Sequence, residues 1–192
     1  MEKILIINGH PDPESFAAGL AKAYKKGAIA AGAQVEDLVL ADLDFNPILQ
    51  FGYRKRVELE PDLIDAQQKI IWAEHIVWVY PVWWGSIPAL LKGFLDRTFL
   101  PGFAFKYREN SVWWDKLLAG RSAHIISTLD QPTLYYWLVN GRPTYHMMKK
   151  MTLEFSGFKP VRTTTFGSIR NSTAEQRTKW LTKIEQLGKS LK

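Results

Sequence analysis

Three short segments hold the side chains best suited to ligand binding or proton transfer. The first, Asn8-Gly9-His10-Pro11-Asp12-Pro13-Glu14-Ser15-Phe16, follows an apolar run and opens a helical pattern. It has neither the Gly-x-Gly-x-x-Gly of a dinucleotide fingerprint nor the Gly-Lys-Ser/Thr of a P-loop. It is still placed for an anion, because first-turn amides point outward and the helix dipole favours a negative group by about 0.3–1 kcal/mol. His10 and Ser15 add side-chain donors there. The same residues also read as an ordinary helix start, with Asp12 as N-cap, Pro13 at the first helical position and His10 solvated. The second segment runs from His75 to Arg97 and carries Pro81-Val82-Trp83-Trp84-Gly85 directly after a buried strand. That is where open α/β sheets take their ligands, and Gly85 lets the backbone approach a flat group. The third, Ser127-Thr128-Leu129-Asp130-Gln131-Pro132, leads to Tyr135, Tyr136 and Trp137. Its hydroxyls and amides can hydrogen-bond the edge of a heteroaromatic ring, with the tyrosines as cover or proton donors; an ordinary capped loop over core aromatics is the other reading.

The remaining histidines are less pointed. His75 and His124 fall at or in strand runs, and His146 follows a Gly-Arg-Pro turn. No His-x-x-His or His-Glu-x-x-His spacing occurs, so no metal site is expected, and no Gly-x-Ser-x-Gly elbow supports a serine hydrolase.

The elements that position these segments alternate. Lys3–Asn8 reads as a strand, Glu14–Ala31 as a helix and Gln34–Leu40 as a second strand. A helix is expected from about Asp62 to Ala73. Ile76, Val77, Trp78, Val79 and Tyr80 then form the β-branched and aromatic run of a strand covered on both faces. Pro81 is expected to end its ladder. Ser86 can cap the next helix, with Pro88 in its first turn and Leu90, Leu91, Phe94 and Leu95 facing the sheet. Arg121–Thr128 and Val161–Phe166 read as the fourth and fifth strands. The last helix starts on a Thr173-Ala174-Glu175-Gln176 capping box and runs to about Gly188. Strands separated by helices imply right-handed βαβ units in one parallel sheet, ordered 2-1-3-4-5, and a single domain over residues 1–192. Two connections are long, Ala41 to Pro61 and Leu100 to Gly120. The second is crowded with Phe103, Phe105, Tyr107, Trp113 and Trp114, which suits ligand contact, a hydrophobic cover or a dimer face.

Composition narrows the class further. The chain has 192 residues, 46% hydrophobic and 23% charged, with a net charge of +6 and no cysteine. Disulfides and thiolate metal sites are therefore excluded. No apolar stretch reaches the roughly 18 residues that cross a bilayer, and the amino terminus, MEKILIINGH, reads as a first strand instead of a signal peptide. A soluble, cytoplasmic globular protein is the expectation. The positive charge is scattered. Its densest clusters, Arg54-Lys55-Arg56 and Lys149-Lys150, carry no nucleic-acid motif, so a solvated surface or a small anionic ligand is expected before nucleic acid.

Taken together, Gly9-His10-Pro11 through Ser15-Phe16, Pro81-Val82-Trp83-Trp84-Gly85-Ser86-Ile87-Pro88-Ala89 and Lys92-Gly93-Phe94-Leu95-Asp96-Arg97 resemble the flavodoxin-like NAD(P)H:quinone oxidoreductase family. The pattern Pro-x-x-Trp-x-x-x-Pro-x-x-Leu-Lys-Gly is its specific part. The likeness covers nearly the whole chain, including Glu154-Phe155-Ser156-Gly157-Phe158, and is closest to the bacterial general-stress or potassium-efflux ancillary branch. The resemblance implies a flavodoxin-like, three-layer α/β fold and a bound flavin, FAD or FMN. Its phosphates would lie over His10, Ser15 and Phe16, and its isoalloxazine ring against Pro81, Val82, Trp83, Trp84 and Gly85. Ser127, Thr128 and Asp130 would meet the polar edge of the ring, and Tyr135 would line the substrate cavity. Ala17 stands where the mammalian quinone reductases have Asn, and Leu129 and Asp130 replace two glycines. Gly141 stands where their active-site histidine is expected, which leaves His146 as the nearest substitute. The resemblance further implies hydride transfer from NAD(P)H through flavin to a quinone, ping-pong kinetics and a C2 homodimer involving the Phe103–Trp114 loop. A flavin-binding ancillary subunit docked on a potassium-efflux system is the alternative, with Arg54–Arg56 as its docking face.

Overall fold

The computed structural model describes residues 1–191. Strands β1 (Lys3–Asn8), β2 (Gln34–Val39) and β3 (His75–Pro81) are separated by helices α1 (Phe16–Ala30) and α2 (Pro61–Trp72). Helix α3 (Ala89–Thr98) leads to a small antiparallel hairpin, β4 (Phe105–Tyr107) with β5 (Trp114–Lys116). Then come β6 (Ser122–Thr128), the short α4 (Thr133–Leu138), a π-helical segment Tyr145–Leu153 running into α5 (Glu154–Ser156), β7 (Val161–Phe166) and α6 (Ala174–Lys189). The main sheet has the order β2-β1-β3-β6-β7, parallel throughout. In strand sequence that is 2-1-3-4-5, as the alternation of elements predicts.

Side-chain alternation along the strands builds two cores. Ile4, Ile6, Val77, Val79 and Ile126 pack under Leu20, Tyr24 and Ala28 of α1 and Ile184 of α6. Leu5, Ile7, Trp78, Tyr80 and Ile125 face α2, α3 and the π-helical segment through Ile70, Phe94, Met148 and Leu153. Every residue of β3 is buried, which is why its sequence shows no polar alternation. Helices α1 and α6 touch backbone to backbone: a Cβ at Gly188 would come within 2.3 Å of the Tyr24 carbonyl, and one at Gly27 within 2.0 Å of that of Glu185.

Several local expectations give way. Ser15, not Asp12, is the α1 N-cap, accepting the Ala18 amide at 3.2 Å. Asp12 instead closes a turn on the Glu14 amide at 2.9 Å, which uses its carboxylate before the helix begins. Ser86 does not cap α3, whose N-cap is Pro88. The Ser86 main chain is committed to a two-bond bridge with Trp83, at 2.9 Å each way. Pro81 is the last residue of β3, as expected, although one bond follows it. It pairs with Thr128, and the Val82 amide continues the bonding to the Thr128 carbonyl at 2.7 Å. The hairpin, α4 and the π-helical segment had no counterpart in the sequence reading.

Candidate functional site

The loop after β1 is shaped by its own polar side chains. The His10 amide donates to Asn8 Oδ1 at 3.1 Å, and the Asp12 amide donates to His10 Nδ1 at 2.9 Å. With Nδ1 occupied as an acceptor, the neutral imidazole carries its proton on Nε2 and offers it outward as a donor. Burial holds the His10 pKa below its ordinary value, against the opposing pull of Asp12. The His10 ring stands edge-on to Trp83, centroids 5.4 Å apart at 76°.

Beside these rings lies a cavity of about 160 Å³ at the carboxyl ends of β1, β3 and β6. Its floor comes from the first turn of α1, with Ser15, Phe16 and Ala17, and its far wall from Pro81, Val82 and Trp83. Thr128, Leu129, Asp130 and Ile169 close it. The amide of Ala18 is taken by the Ser15 hydroxyl oxygen and that of Gly19 by the Ser15 carbonyl, at 3.1 Å. Among the described residues no acceptor meets the amides of Phe16 and Ala17. Unpaired first-turn amides beside a histidine N–H and a serine O–H, on the positive end of a 15-residue helix, make a donor set suited to an anion. The donor set fits the phosphate end of a flavin nucleotide, and the half-exposed Trp83 offers a face to its ring system.

Trp83, Trp84, Gly85 and Ser86 make a tight hairpin turn. Trp84 has φ 51° and Gly85 φ 71°, the paired left-handed values of a type I′ turn. Glycine suits such a position, and tryptophan does not. The turn thrusts Trp84 fully into solvent, at 104% of its reference exposure.

The expected site residues divide in two. His10, Ser15, Phe16, Pro81, Val82, Trp83, Thr128 and Asp130 line one cavity, although Asp130 also accepts the Arg170 amide at 3.0 Å. Trp84, Gly85, Ser127, Tyr135 and His146 do not line it. Ser127 sits one residue before Thr128 and so points to the opposite face of the sheet, where its Oγ meets Thr165 Oγ1 at 2.9 Å. It borders a narrow crevice with Tyr80, Tyr136 and Arg142. Tyr80, fully enclosed there, has its hydroxyl pKa pushed up by burial. Tyr136, buried, bonds through its hydroxyl to Thr144, while Tyr135 is half exposed on the rim of α4. His146 is exposed and stands edge-on to Tyr145 at 5.4 Å. Ala17, Leu129 and Ile169 were missed because they have no reactive group; position alone, at a helix start or past a strand's carboxyl end, marks them. Among the described residues no cluster of three or more His, Asp and Glu can hold a metal ion, and no helix is long and apolar enough to cross a membrane.

A larger cavity, about 580 Å³, is elsewhere. It is a groove between α3, the hairpin and the π-helical segment, walled by Phe99, Phe105, Tyr107, Met147, Met151 and Phe155. Its two charged members, Lys92 and Asp96, pair with each other at 2.6 Å.

Known proteins share this plan. The flavodoxin-like fold family matches residues 2–187. Human ribosyldihydronicotinamide dehydrogenase (quinone) is 30% identical over 184 residues, covering 82% of this chain and 78% of the human protein. The crystal structure of Smu.1420 from Streptococcus mutans superposes with a TM-score of 0.84 at 30% identity, over 98% of this chain and 99% of that one. The NAD(P)H:quinone oxidoreductase of Methanothermobacter marburgensis, at 23% identity, shares the fold with a TM-score of 0.83 over 99% of this chain and 96% of its own. A family match over almost the whole length, joined to 30% identity with the human enzyme across most of both chains, shows that this protein belongs to the flavodoxin-like NAD(P)H:quinone oxidoreductase family.

Proposed function

We propose that the protein is a flavin-dependent NAD(P)H:quinone oxidoreductase whose flavin phosphate lies over the start of α1. The observation that carries this is the pair of unbonded amides, Phe16 and Ala17, in the same cavity as His10 and Trp83. A bound flavin would supply the two-electron chemistry between a nicotinamide and a quinone. The chain's own part is to hold and orient. The Phe16 and Ala17 amides, the Ser15 hydroxyl and His10 Nε2–H meet the phosphate. Pro81, Val82 and Trp83 support the ring, with Thr128 at its edge. Tyr135 on the rim offers a half-exposed hydroxyl to the acceptor, and His146, exposed and outside the cavity, is not assigned the proton-donor role. Both substrates use one open face, so turnover is ping-pong. The experiment is direct. Protein purified from cells releases a yellow cofactor on denaturation, whose mass separates FMN from FAD. Without quinone the holoprotein should oxidise about one equivalent of NADH or NADPH per bound flavin, and with quinone it should turn over continuously, giving parallel double-reciprocal plots. Colourless protein that binds neither flavin would overturn the reading.

The apolar groove of about 580 Å³ supports a C2 homodimer, with Tyr107 and Met151, both largely exposed in one chain, covered by the second copy. Met151→Glu shifts the protein to a monomer in light scattering if this face is the interface. The exposure of Arg54, Lys55 and Arg56 on the long loop favours, as a second reading, docking of the same flavoprotein on a transporter. Co-purification lost on changing all three to Glu would support it.

A further inference from the structure

Arg142 puts a cation where neither the fold nor the phosphate groove uses one. Its guanidinium carbon lies 4.7 Å from the ring centroids of both Trp137 and Tyr145, so two cation–π contacts hold the group. Only its main chain is bonded, the amide to the Tyr136 carbonyl at 3.1 Å and the carbonyl from the His146 amide at 3.3 Å. Among the described residues no carboxylate or carbonyl meets its five N–H donors. Arg97 shows the contrast, its guanidinium being taken up by the Glu60 carboxylate and the carbonyls of Asn46 and Glu58. The Arg142 backbone is also left-handed, φ 54° after Gly141 at 66°. An arginine is held there at a cost that glycine or asparagine would not bear.

Its neighbours say what it faces. A side chain at Gly85 would meet the Pro143 ring 3.5 Å away, so the segment beginning at Arg142 packs against the aromatic turn. Arg142 borders the crevice of Ser127 and Tyr136, across the sheet from His10. On the same stretch of chain and on the aromatic turn it packs against, Trp137, Tyr135 and Trp84 are exposed, at 47%, 49% and 104%. A surface of exposed aromatics with one guanidinium held by two rings and without an acceptor among the described residues matches a flat aromatic ligand carrying an anionic group.

We propose that Arg142 is the anion-recognition residue of the acceptor site, selecting aromatic acceptors that bear a carboxylate or sulfonate. The proposal rests on the oxidoreductase reading for the identity of its ligand, and the test separates the two. The probe is 1,4-naphthoquinone-2-sulfonate, with 1,4-naphthoquinone as its neutral counterpart. Binding of the sulfonate to the flavin-loaded protein, without nicotinamide, is followed by tryptophan fluorescence. Arg142→Met should raise its Kd about tenfold, the scale of one charge-assisted hydrogen-bonded contact, and flatten the salt dependence. Arg142→Lys, which keeps the charge but loses the planar fork, should fall between. The ratio of kcat/KM for sulfonate over neutral quinone should drop by the same factor. A Kd and a ratio both within twofold of wild type, in variants with native circular dichroism, would overturn the proposal while leaving the oxidoreductase intact. Arg142-dependent sulfonate binding in a protein that reduces neither quinone would uphold the anion site and remove the oxidoreductase.

Discussion

Trp84 occupies a backbone conformation that its side chain resists, and it gains no burial in return. With φ 51° at Trp84 and 71° at Gly85, the turn is of the type that Asn-Gly serves best. Left-handed backbone costs an ordinary residue about 1–2 kcal/mol, and strain of this kind persists where function uses it. Trp84→Asn should therefore stabilise the protein by about 1 kcal/mol, raising Tm by about 2–4 °C at this size. The same change should raise KM for quinones several-fold, because an aromatic cover is lost. Calorimetry and steady-state kinetics read the two effects, and a lowered Tm would defeat the strain argument. Ser15 allows a cleaner separation. Its oxygen caps α1 through the Ala18 amide, while its hydroxyl proton remains for a bound anion. Ser15→Ala removes both and should cost about 1 kcal/mol of stability. Ser15→Asp keeps the cap but sets a negative charge on the anion site, so stability should hold while flavin retention through dialysis collapses. Equal flavin content in the wild type and the Asp variant would place the phosphate elsewhere.

At the scale of elements, one arginine ties the longest loop to the helix behind the aromatic turn. Arg97 of α3 is 2% exposed, and its guanidinium reaches Glu60 Oε2 at 2.7 Å and the Glu58 carbonyl at 3.2 Å, with a further bond to the Asn46 carbonyl. Burial pushes the Glu60 carboxyl up, but the Asn46 amide and Arg97 outweigh it and hold its pKa below the usual value. Arg97→Met removes the donors to that partly exposed carboxylate and to two carbonyls and should cost about 1–3 kcal/mol. Limited proteolysis should show it as faster cutting within residues 49–57, and unchanged cleavage would show that the loop is held otherwise. This clamp was not legible in the sequence, where Lys92–Arg97 read only as part of a family motif. The five strands of the sheet were legible, because Ile76–Tyr80 and Lys3–Asn8 are apolar runs that only a covered parallel strand explains. So was the Thr173 capping box, whose two reciprocal bonds form at 2.9 and 3.2 Å. The α1 cap was misread because Asp12-Pro13 is a good start by composition; the preference was overridden when Asp12 spent its carboxylate on a local turn. Ser127 and Thr128 are chemically alike, and only strand alternation decides which one faces the cavity. Between Gln131 and Pro143 the prolines and glycine masked a short helix, and a π-helical turn has no sequence period of its own.

For the molecule as a whole, the candidate site and a buried histidine lie at opposite ends of the strands. The candidate site uses the carboxyl ends of the strands, whereas His75 opens β3 at the amino end and is 3% exposed. Its Nδ1 meets Ser122 Oγ at 2.7 Å, its Nε2 has no partner, and its ring lies parallel to that of Tyr24 at 6.3 Å. Burial, reinforced by the neighbouring His124 and Arg162, pushes its pKa from 6.5 down to about 4. A buried base with a lowered value is neutral in the fold and takes up its proton more readily once unfolded. Its contribution to stability is therefore whole above pH 6.5 and drains away as the pH falls from 6.5 toward about 4. The slope is about 1.4 kcal/mol per pH unit, or roughly 3 kcal/mol over the window, and nothing further is lost below it. His75→Asn retains a polar group within reach of Ser122 but cannot titrate. Urea unfolding of both proteins at half-unit steps from pH 7.5 to 3.5 isolates the effect as a difference, in which the carboxylates common to both cancel. The wild type should lose stability relative to the variant only between pH 6.5 and 4, with flavin affinity at neutral pH unaltered because the cavity lies at the other end of the strands. A difference curve that stays flat through that window would mean that the ring accepts its proton inside the fold, and that the amino-terminal edge of the sheet is open to water.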